Sequence, residues 1–191
     1  MAASTVLIAN RALQKLGAKR ISSLTQDHPN ARSMNAAFES VRDAELRRYI
    51  WSFAIKRASI AADGTDETIL NTWNRYSLPN DFIRLIRDDE SGFYVDWKIE
   101  GLYILSATTS PLEIRYVARI EDPNYYDPLF SEALAAKLAL ECAIEIKDAA
   151  VTDFAKIEDS YDRAVSEARM VGAIEKEAQE FPEDPWLAAR R

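Results

Sequence analysis

Residues 30–60, NARSMNAAFESVRDAELRRYIWSFAIKRASI, contain two hydrophobic periods in immediate succession. The first part repeats at steps of three and four, the period of one helical face. That face consists of Met34, Ala37, Phe38, Val41, Ala44 and Glu45. From Trp51 the period changes to two, with Trp51, Phe53 and Ile55 on one side, which indicates a strand. The stretch therefore predicts a helix of about 20 residues that leads directly into a strand, where a helical part meets a sheet.

Capping residues place a first helix before this one. Ser4 or Thr5 can cap it, because a hydroxyl oxygen satisfies backbone N–H groups that have no helical partner. Gly17 ends it, since glycine accepts the left-handed backbone at a helix C-terminus. Asp27 is the predicted cap of the second helix, with Pro29 in its first turn.

Short alternating segments fill the middle of the chain. They extend from about residue 52 to residue 119 without an intervening helical pattern. Residues 63–67 and 88–92 are predicted turns, and Glu100-Gly101 is a predicted hairpin turn because glycine adopts positive φ. Short strands at this spacing predict an antiparallel meander.

Helical patterns return after the strands. Asp127-Pro128 opens a third helix, and Thr152 is the predicted cap of a fourth that continues toward Gln179. Because helices and strands come in blocks, the class is α+β: a helical bundle of about four helices with an antiparallel β-sheet insertion between helices 2 and 3. Residues 1–50 and 125–180 then form the helical core, 51–124 the insertion and 181–191 an extended C-terminal tail.

The charge is distributed unevenly along the 191 residues. The net charge is −7, and 17 acidic but only 8 basic residues lie between residue 121 and the C-terminus. This argues against general nucleic-acid affinity of that part. No apolar run is long enough to cross a membrane, and the N-terminus has neither a basic region nor a cleavable apolar stretch. We expect a soluble protein that is made in the cytoplasm.

Residues that could carry chemistry are few and dispersed. His28 has no second histidine as a partner, and Cys142, the one cysteine, lies among apolar residues of the third helix. Two acidic clusters, 88–90 and Glu158, Asp159 and Asp162, are expected to be solvated. We therefore predict no catalytic residue, no cofactor and no metal site, and a protein that is not an enzyme.

Basic residues cluster around the helix–strand junction. Arg47, Arg48, Lys56 and Arg57 lie here, beside Trp51. One interpretation is a contact surface for an acidic partner. The other is an amphipathic helix with ordinary ion pairs between neighbouring turns. The sequence leaves both open, and these five residues are candidate interface contacts.

The C-terminal tail carries three further candidate contacts. Phe181, Trp186 and Leu187 are apolar residues in a segment that two prolines prevent from being helical. The segment is too short to form a core of its own, and exposed tryptophan is a frequent anchor in interfaces. We expect the tail to dock on a neighbouring subunit or another partner.

Three stretches in this order and spacing resemble one family. They are ANRALQKLG at 9–17, followed by ISSL at 21–24; ELRRYIWSFA at 45–54; and WNRYSLPNDFIR at 73–84. Together they are similar to the phage tail tubular protein A family, the head-to-tail adaptors of short-tailed phages. The resemblance covers most of residues 4–175 and does not include the last dozen residues.

The resemblance implies a non-enzymatic virion component at the head–tail junction. Adaptors of this family form a twelve-subunit ring between the portal of the capsid and the tail nozzle, and DNA passes through the ring. The implied partners are copies of the chain itself, the portal protein, the nozzle protein and DNA that passes through the lumen without sequence-specific binding, with no membrane. An acidic lumen repels phosphate, so we expect acidic C-terminal helices to line the channel or the ring interface.

Two other functions stay open at the level of sequence. One is a virion-associated cell-wall hydrolase, because the separation of two catalytic carboxylates is a three-dimensional quantity. The other is a cellular interaction module. Turnover of peptidoglycan would favour the first, and a gene located away from portal and nozzle genes would favour the second.

Overall fold

Four helices and two antiparallel sheets make up the part of the chain that the computed structural model describes, residues 4–67, 72–86, 97–147 and 151–174. The helices are α1 (Thr5–Lys15), α2 (Pro29–Arg48), α3 (Pro128–Lys147) and α4 (Val151–Ile174). The strands are β1 (Ile55–Ile60), β2 (Gly64–Glu67), β3 (Thr72–Ser77), β4 (Phe82–Ile86), β5 (Trp97–Glu100), β6 (Tyr103–Ser106) and β7 (Leu112–Ala118). The predicted α+β class is confirmed.

Strand pairing differs from the predicted meander. The first sheet has the order β1-β7-β4 and the second the order β2-β3-β6-β5. β1 pairs with β7, the last strand, from Ile55 opposite Val117 to Ile60 opposite Leu112. The meander is therefore wrong as a description of this region. The reason lies in β7, which carries apolar residues on both faces and is buried at the centre of its sheet.

The first sheet lies between the helices and the second sheet. Leu112, Ile114, Tyr116 and Ala118 of β7 point to one side, where they form a core with Tyr76 and Ile104 of the second sheet. Val117 points to the other side. There it joins Ile83 and Ile86 of β4 in the helical core. Two hydrophobic cores thus share one strand.

Small residues let α3 occupy the centre of the helical core. α3 packs against α1, α2 and α4. Its fully buried alanines allow close approach of the neighbouring backbones. They are Ala133, Ala135, Ala136 and Ala139, with Ala143 one turn later. More than one neighbouring helix therefore buries α3.

The helix–strand junction is not a strand from Trp51 onward. Ser52–Ala54 form a 3-10 turn, and β1 begins only at Ile55. The N–H of Ala54 donates to the carbonyl of Trp51 at 3.0 Å. Trp51, Phe53 and Ile55 all pack against the helical core, but Ala54 between them is fully buried as well. The predicted strand is therefore wrong for residues 51–54, although Trp51, Phe53 and Ile55 share one core as predicted.

Two predicted helix caps are also corrected. The Nδ1 atom of His28 accepts a hydrogen bond from the N–H of Asn30 at 3.2 Å, so His28, not the exposed Asp27, caps α2. Thr152 lies inside α4, which begins at Val151. Histidine can act as a cap because its unprotonated ring nitrogen accepts a hydrogen bond.

One predicted turn is a strand. Residues 64–67 form β2 along β3, with Gly64 opposite Arg75. Backbone pairing with β3 outweighs the turn propensity of Gly and Asp in this segment. The hairpin turn at Glu100-Gly101 is confirmed, with φ of 60° at Gly101. The predicted turn at 88–92 lies outside the described residues.

Candidate functional site

An aromatic cluster builds the floor of the helix–strand junction. Phe130 of α3 is fully buried and lies 4.9 Å from the Trp51 ring, 5.0 Å from Phe53 and 5.1 Å from Tyr126, measured between centroids. The indole Nε1 of Trp51 donates to the carbonyl of Glu45 at 2.9 Å. Trp51 is 6% exposed. Its side chain serves the core of this chain and offers almost no surface to a partner.

A cleft of about 450 Å³ opens above this floor, between the junction and the last turns of α4. Its volume lies in the range of about 300–1,000 Å³ typical of ligand pockets. It is lined by residues 48–53 of the junction, by Arg84 of β4, by Asp127 and Leu129 at the start of α3, and by Ala168, Arg169, Val171 and Gly172 of α4. We call it the arginine cleft, after Arg48, Arg84 and Arg169.

Each arginine of the cleft is oriented by a contact within the chain. Nη1 of Arg48 donates to the hydroxyl of Tyr161 at 2.5 Å, and Nη1 of Arg84 donates to the carbonyl of Arg47 at 3.1 Å. Cζ of Arg169 lies 5.2 Å from the centroid of the Tyr49 ring. These contacts use a fraction of the five donors of each guanidinium. The remaining donors can bind carboxylates at the cleft.

The cleft has an excess of positive charge. Asp127 is the acidic residue among those that line it, and its Oδ1 accepts from the N–H groups of Leu129 at 2.7 Å and Phe130 at 3.3 Å. This carboxylate caps the N-terminus of α3, where the positive end of the helix dipole favours a negative charge. Glu45, behind the cleft, compensates part of the charge of Arg48, and the three arginines together leave a net positive charge beside an apolar wall.

A buried carboxylate lies behind Arg48. Glu45 is 1% exposed, and its Oε1 and Oε2 lie 3.0 Å and 2.9 Å from the Tyr161 hydroxyl. Nη1 of Arg48 lies 3.6 Å from Oε1. Burial raises the pKa of Glu45, and the hydrogen bond from Tyr161 and the charge of Arg48 offset this only in part. The cluster ties α4 to the end of α2 and positions Arg48.

Glu45→Gln should change how stability depends on pH. The folded pKa of Glu45 is raised above its ordinary value of 4.5, so its stabilising contribution is complete at lower pH and is lost as pH rises through the folded pKa. Glutamine does not titrate. Relative to wild type, the free energy of unfolding of Glu45→Gln should therefore increase from pH 4.5 upward, as measured by urea denaturation at several pH values. The exposed Glu39→Gln is the control, and an equal slope in both variants would contradict the prediction.

Two other predicted basic contacts, Arg47 and Lys56, form hydrogen bonds with groups of the same chain. Nη1 of Arg47 donates to the carbonyl of Ile83 at 2.5 Å. Nζ of Lys56 bonds Oδ2 of Asp81 at 2.6 Å. Burial alone would raise the pKa of Asp81, but hydrogen bonds from Lys56 and Tyr116 outweigh it and lower that pKa. The structure thus joins Arg48, but neither Arg47 nor Lys56, to the cleft.

The remaining candidate contacts are Arg57 and the three residues of the C-terminal tail. Arg57 is exposed on β1, directly opposite Arg115 of β7. Phe181, Trp186 and Leu187 lie outside the described residues. Arg84 and Arg169, two of the three arginines of the cleft, are absent from the predicted set. The sequence gives little indication of these two arginines, because each lies far from Arg48 along the chain. Only the fold brings the three together.

An acidic surface lies on the first half of α4. Glu158, Asp159 and Asp162 are exposed there, and Arg163 forms an ion pair with Asp159. We call these three carboxylates the acidic ridge. In the part of the chain that the structure describes, no three His, Cys, Asp or Glu side chains are grouped so as to hold a metal ion. The predicted acidic cluster at 88–90 lies outside that part.

Cys142 is buried on α3, as predicted. Burial raises the pKa of its thiol to about 11, and the nearby Glu145 and Glu141 add to the effect. The thiol is therefore protonated at neutral pH and is a poor nucleophile.

Two further properties of the chain concern membranes and similarity to known proteins. None of the helices that the structure describes combines the length and the hydropathy needed to span a bilayer. Neither a family model nor a curated protein matches this chain.

Proposed function

We propose that this chain is a non-enzymatic structural protein of a phage virion, an adaptor whose copies form a ring between the portal and the tail nozzle. The observation that carries the proposal is the separation of charge on its surface into an arginine cleft and an acidic ridge. A ring needs two different surfaces on each subunit, because each copy contacts its two neighbours through different faces. The resemblance of residues 9–24, 45–54 and 73–84 to head-to-tail adaptors supplies the biological setting.

The acidic ridge and Arg169 of the cleft lie on different turns of α4. Glu158 and Arg169 are separated along α4 by about 16 Å at 1.5 Å per residue. This exceeds the Debye length of about 8 Å at physiological ionic strength, so their attraction within the chain is screened. The ridge of one copy can approach the cleft of the next, where complementary charge favours this register of the two subunits.

The two hydrophobic cores of the fold correspond to two parts of the proposed adaptor. The helices form one hydrophobic core, and the second sheet forms another with one face of the first. We assign residues 1–50 and 125–180 to the adaptor core and 51–124 to a β-sheet insertion between α2 and α3. The tail, 181–191, is the proposed contact with the portal, and a net acidic lumen lets DNA pass without being gripped.

Electron microscopy of the purified chain, alone and mixed with the portal encoded nearest its gene, tests this proposal. We expect portal rings that carry an added layer. Reversal of the ridge in the double variant Glu158→Lys/Asp162→Lys should prevent ring closure, since like charges then meet across each interface. The control is Glu121→Lys, an exposed acidic residue outside the ridge.

Two results would overturn the adaptor. One is that particles which lack the chain still attach tails and retain their genomes. The other is turnover of a defined substrate, such as peptidoglycan, that is lost on substitution of a single side chain. The first result would show that assembly does not need this chain, and the second would show that the chain is an enzyme.

A further inference from the structure

We infer that the arginine cleft binds residues 180–187 of the same chain, EFPEDPWL, in the free protein. This acidic, aromatic segment follows the last described turn of α4. The inference concerns the unassembled chain and does not require the ring. Charge, apolar surface and tether length each support this occupant.

The charges of the cleft and of the segment are complementary. The segment contains Glu180, Glu183 and Asp184 and no basic residue. The cleft offers Arg48, Arg84 and Arg169. Guanidinium groups bind carboxylates with two parallel hydrogen bonds, which makes such pairs stronger and more specific than neutral hydrogen bonds.

The apolar surfaces are also complementary. The wall of the cleft includes Ile50 and Val171, which remain 37% and 39% exposed. Burial of such apolar surface favours binding. The segment supplies Phe181 and Trp186, large apolar side chains that flank its acidic residues. A cleft of about 450 Å³ has room for such an anchor.

The connection to α4 is short. Arg169 and Gly172 line the cleft, and the described part of α4 ends at Ile174. Residues 175–179 separate this end from the segment, and five residues span at most about 17 Å. Attachment at the rim of the cleft gives the segment an effective concentration on the order of millimolar. A second copy at micromolar concentration competes poorly with it.

This arrangement would keep the arginine cleft covered before assembly. In a ring, an acidic ridge that enters the cleft must first displace the segment. Free chains would then be monomeric even though each carries complementary charged surfaces.

Peptide competition on the full-length chain tests the inference. The tail variant Glu183→Lys/Asp184→Lys/Trp186→Ala removes the acidic and aromatic groups of the segment and should leave the cleft open. A fluorescent peptide of residues 179–191 should bind this variant at least about tenfold more tightly than it binds wild type, as measured by anisotropy, because each lost charged hydrogen bond alone is worth about that factor.

The cleft itself is tested in the tail-variant background. Addition of Arg169→Glu should weaken peptide binding at least about tenfold, whereas Arg20→Glu, at an exposed arginine outside the cleft, should leave it unchanged. Circular dichroism establishes that each variant is folded. Should Arg169→Glu unfold the chain, Arg169→Gln serves in its place.

Three outcomes would overturn the inference. They are no peptide binding to the tail variant, equal binding to wild type and tail variant, and equal effects of Arg169→Glu and Arg20→Glu. Concentration-dependent dimers of wild type that the tail variant lacks would show that the segment binds a second copy, which also overturns it. A monomeric wild type that fails to form rings with the portal would reject the adaptor and leave the inference intact.

Discussion

Phe130→Ala should lower the free energy of unfolding by about 3–5 kcal/mol, the range for removal of a buried aromatic ring from a core. Phe130 is fully buried and contacts Trp51, Phe53 and Tyr126 with centroid distances of 4.9–5.1 Å. Its loss leaves a cavity where α3 meets the helix–strand junction. Urea denaturation followed by tryptophan fluorescence measures the effect.

A nearby exposed ring provides the control for Phe130. Tyr125 lies in the 3-10 turn just before α3 and is 70% exposed. Tyr125→Ala should change stability little, since surface substitutions away from special features rarely do. If Phe130→Ala were as mild as Tyr125→Ala, the aromatic floor would not stabilise the junction.

Tyr161→Phe should lower the free energy of unfolding at neutral pH by about 1.5–3 kcal/mol, the range for a hydrogen bond to a charged group. The substitution removes one hydroxyl, which lies within 3.0 Å of both carboxylate oxygens of Glu45 and accepts from Arg48. A buried carboxylate then loses its donor. Because that hydrogen bond lowers the pKa of Glu45, the pKa should rise further in the variant. The loss of stability should therefore be smaller at acid pH, where Glu45 is protonated.

A double-mutant cycle separates this coupling from a loss of packing. In the Glu45→Gln background, Tyr161→Phe should cost about 1 kcal/mol, because a neutral acceptor replaces a charge. Tyr125→Phe, on the surface, is the matched control. An equal cost of Tyr161→Phe with Glu and with Gln at position 45 would show that the hydroxyl does not act through the carboxylate.

Local signals were sufficient where the structure is determined by neighbouring residues. The 20 residues of α2 follow from helical periodicity, and the start of α3 at Asp127-Pro128 and the hairpin turn at Gly101 follow from proline and glycine. The turn predicted at 63–67 was wrong, because pairing with β3 overrides the preference of short polar residues for turns. Local propensity fails there because the partner strand is distant in sequence.

The helix–strand junction also shows that local propensity fails where contacts with distant residues determine the structure. Trp51, Phe53 and Ile55 alternate as in a strand, yet the first of them lies in front of a 3-10 turn. Contacts with Phe130, 79 positions after Trp51, determine which side chains face inward. A period of two in five residues is compatible with both structures, so the pattern alone could not distinguish them.

Local sequence patterns predict the α+β class, the order of most helices and strands, and the presence of basic residues near the junction. Periodicity, caps and turn residues act over a few positions, so each can be recognised without knowledge of the rest of the chain. The folded chain was needed to show that Trp51 is buried, that β1 pairs with β7, and that Arg48, Arg84 and Arg169 line one cleft. These properties depend on contacts between residues far apart in the chain, and no local pattern records which distant segments meet.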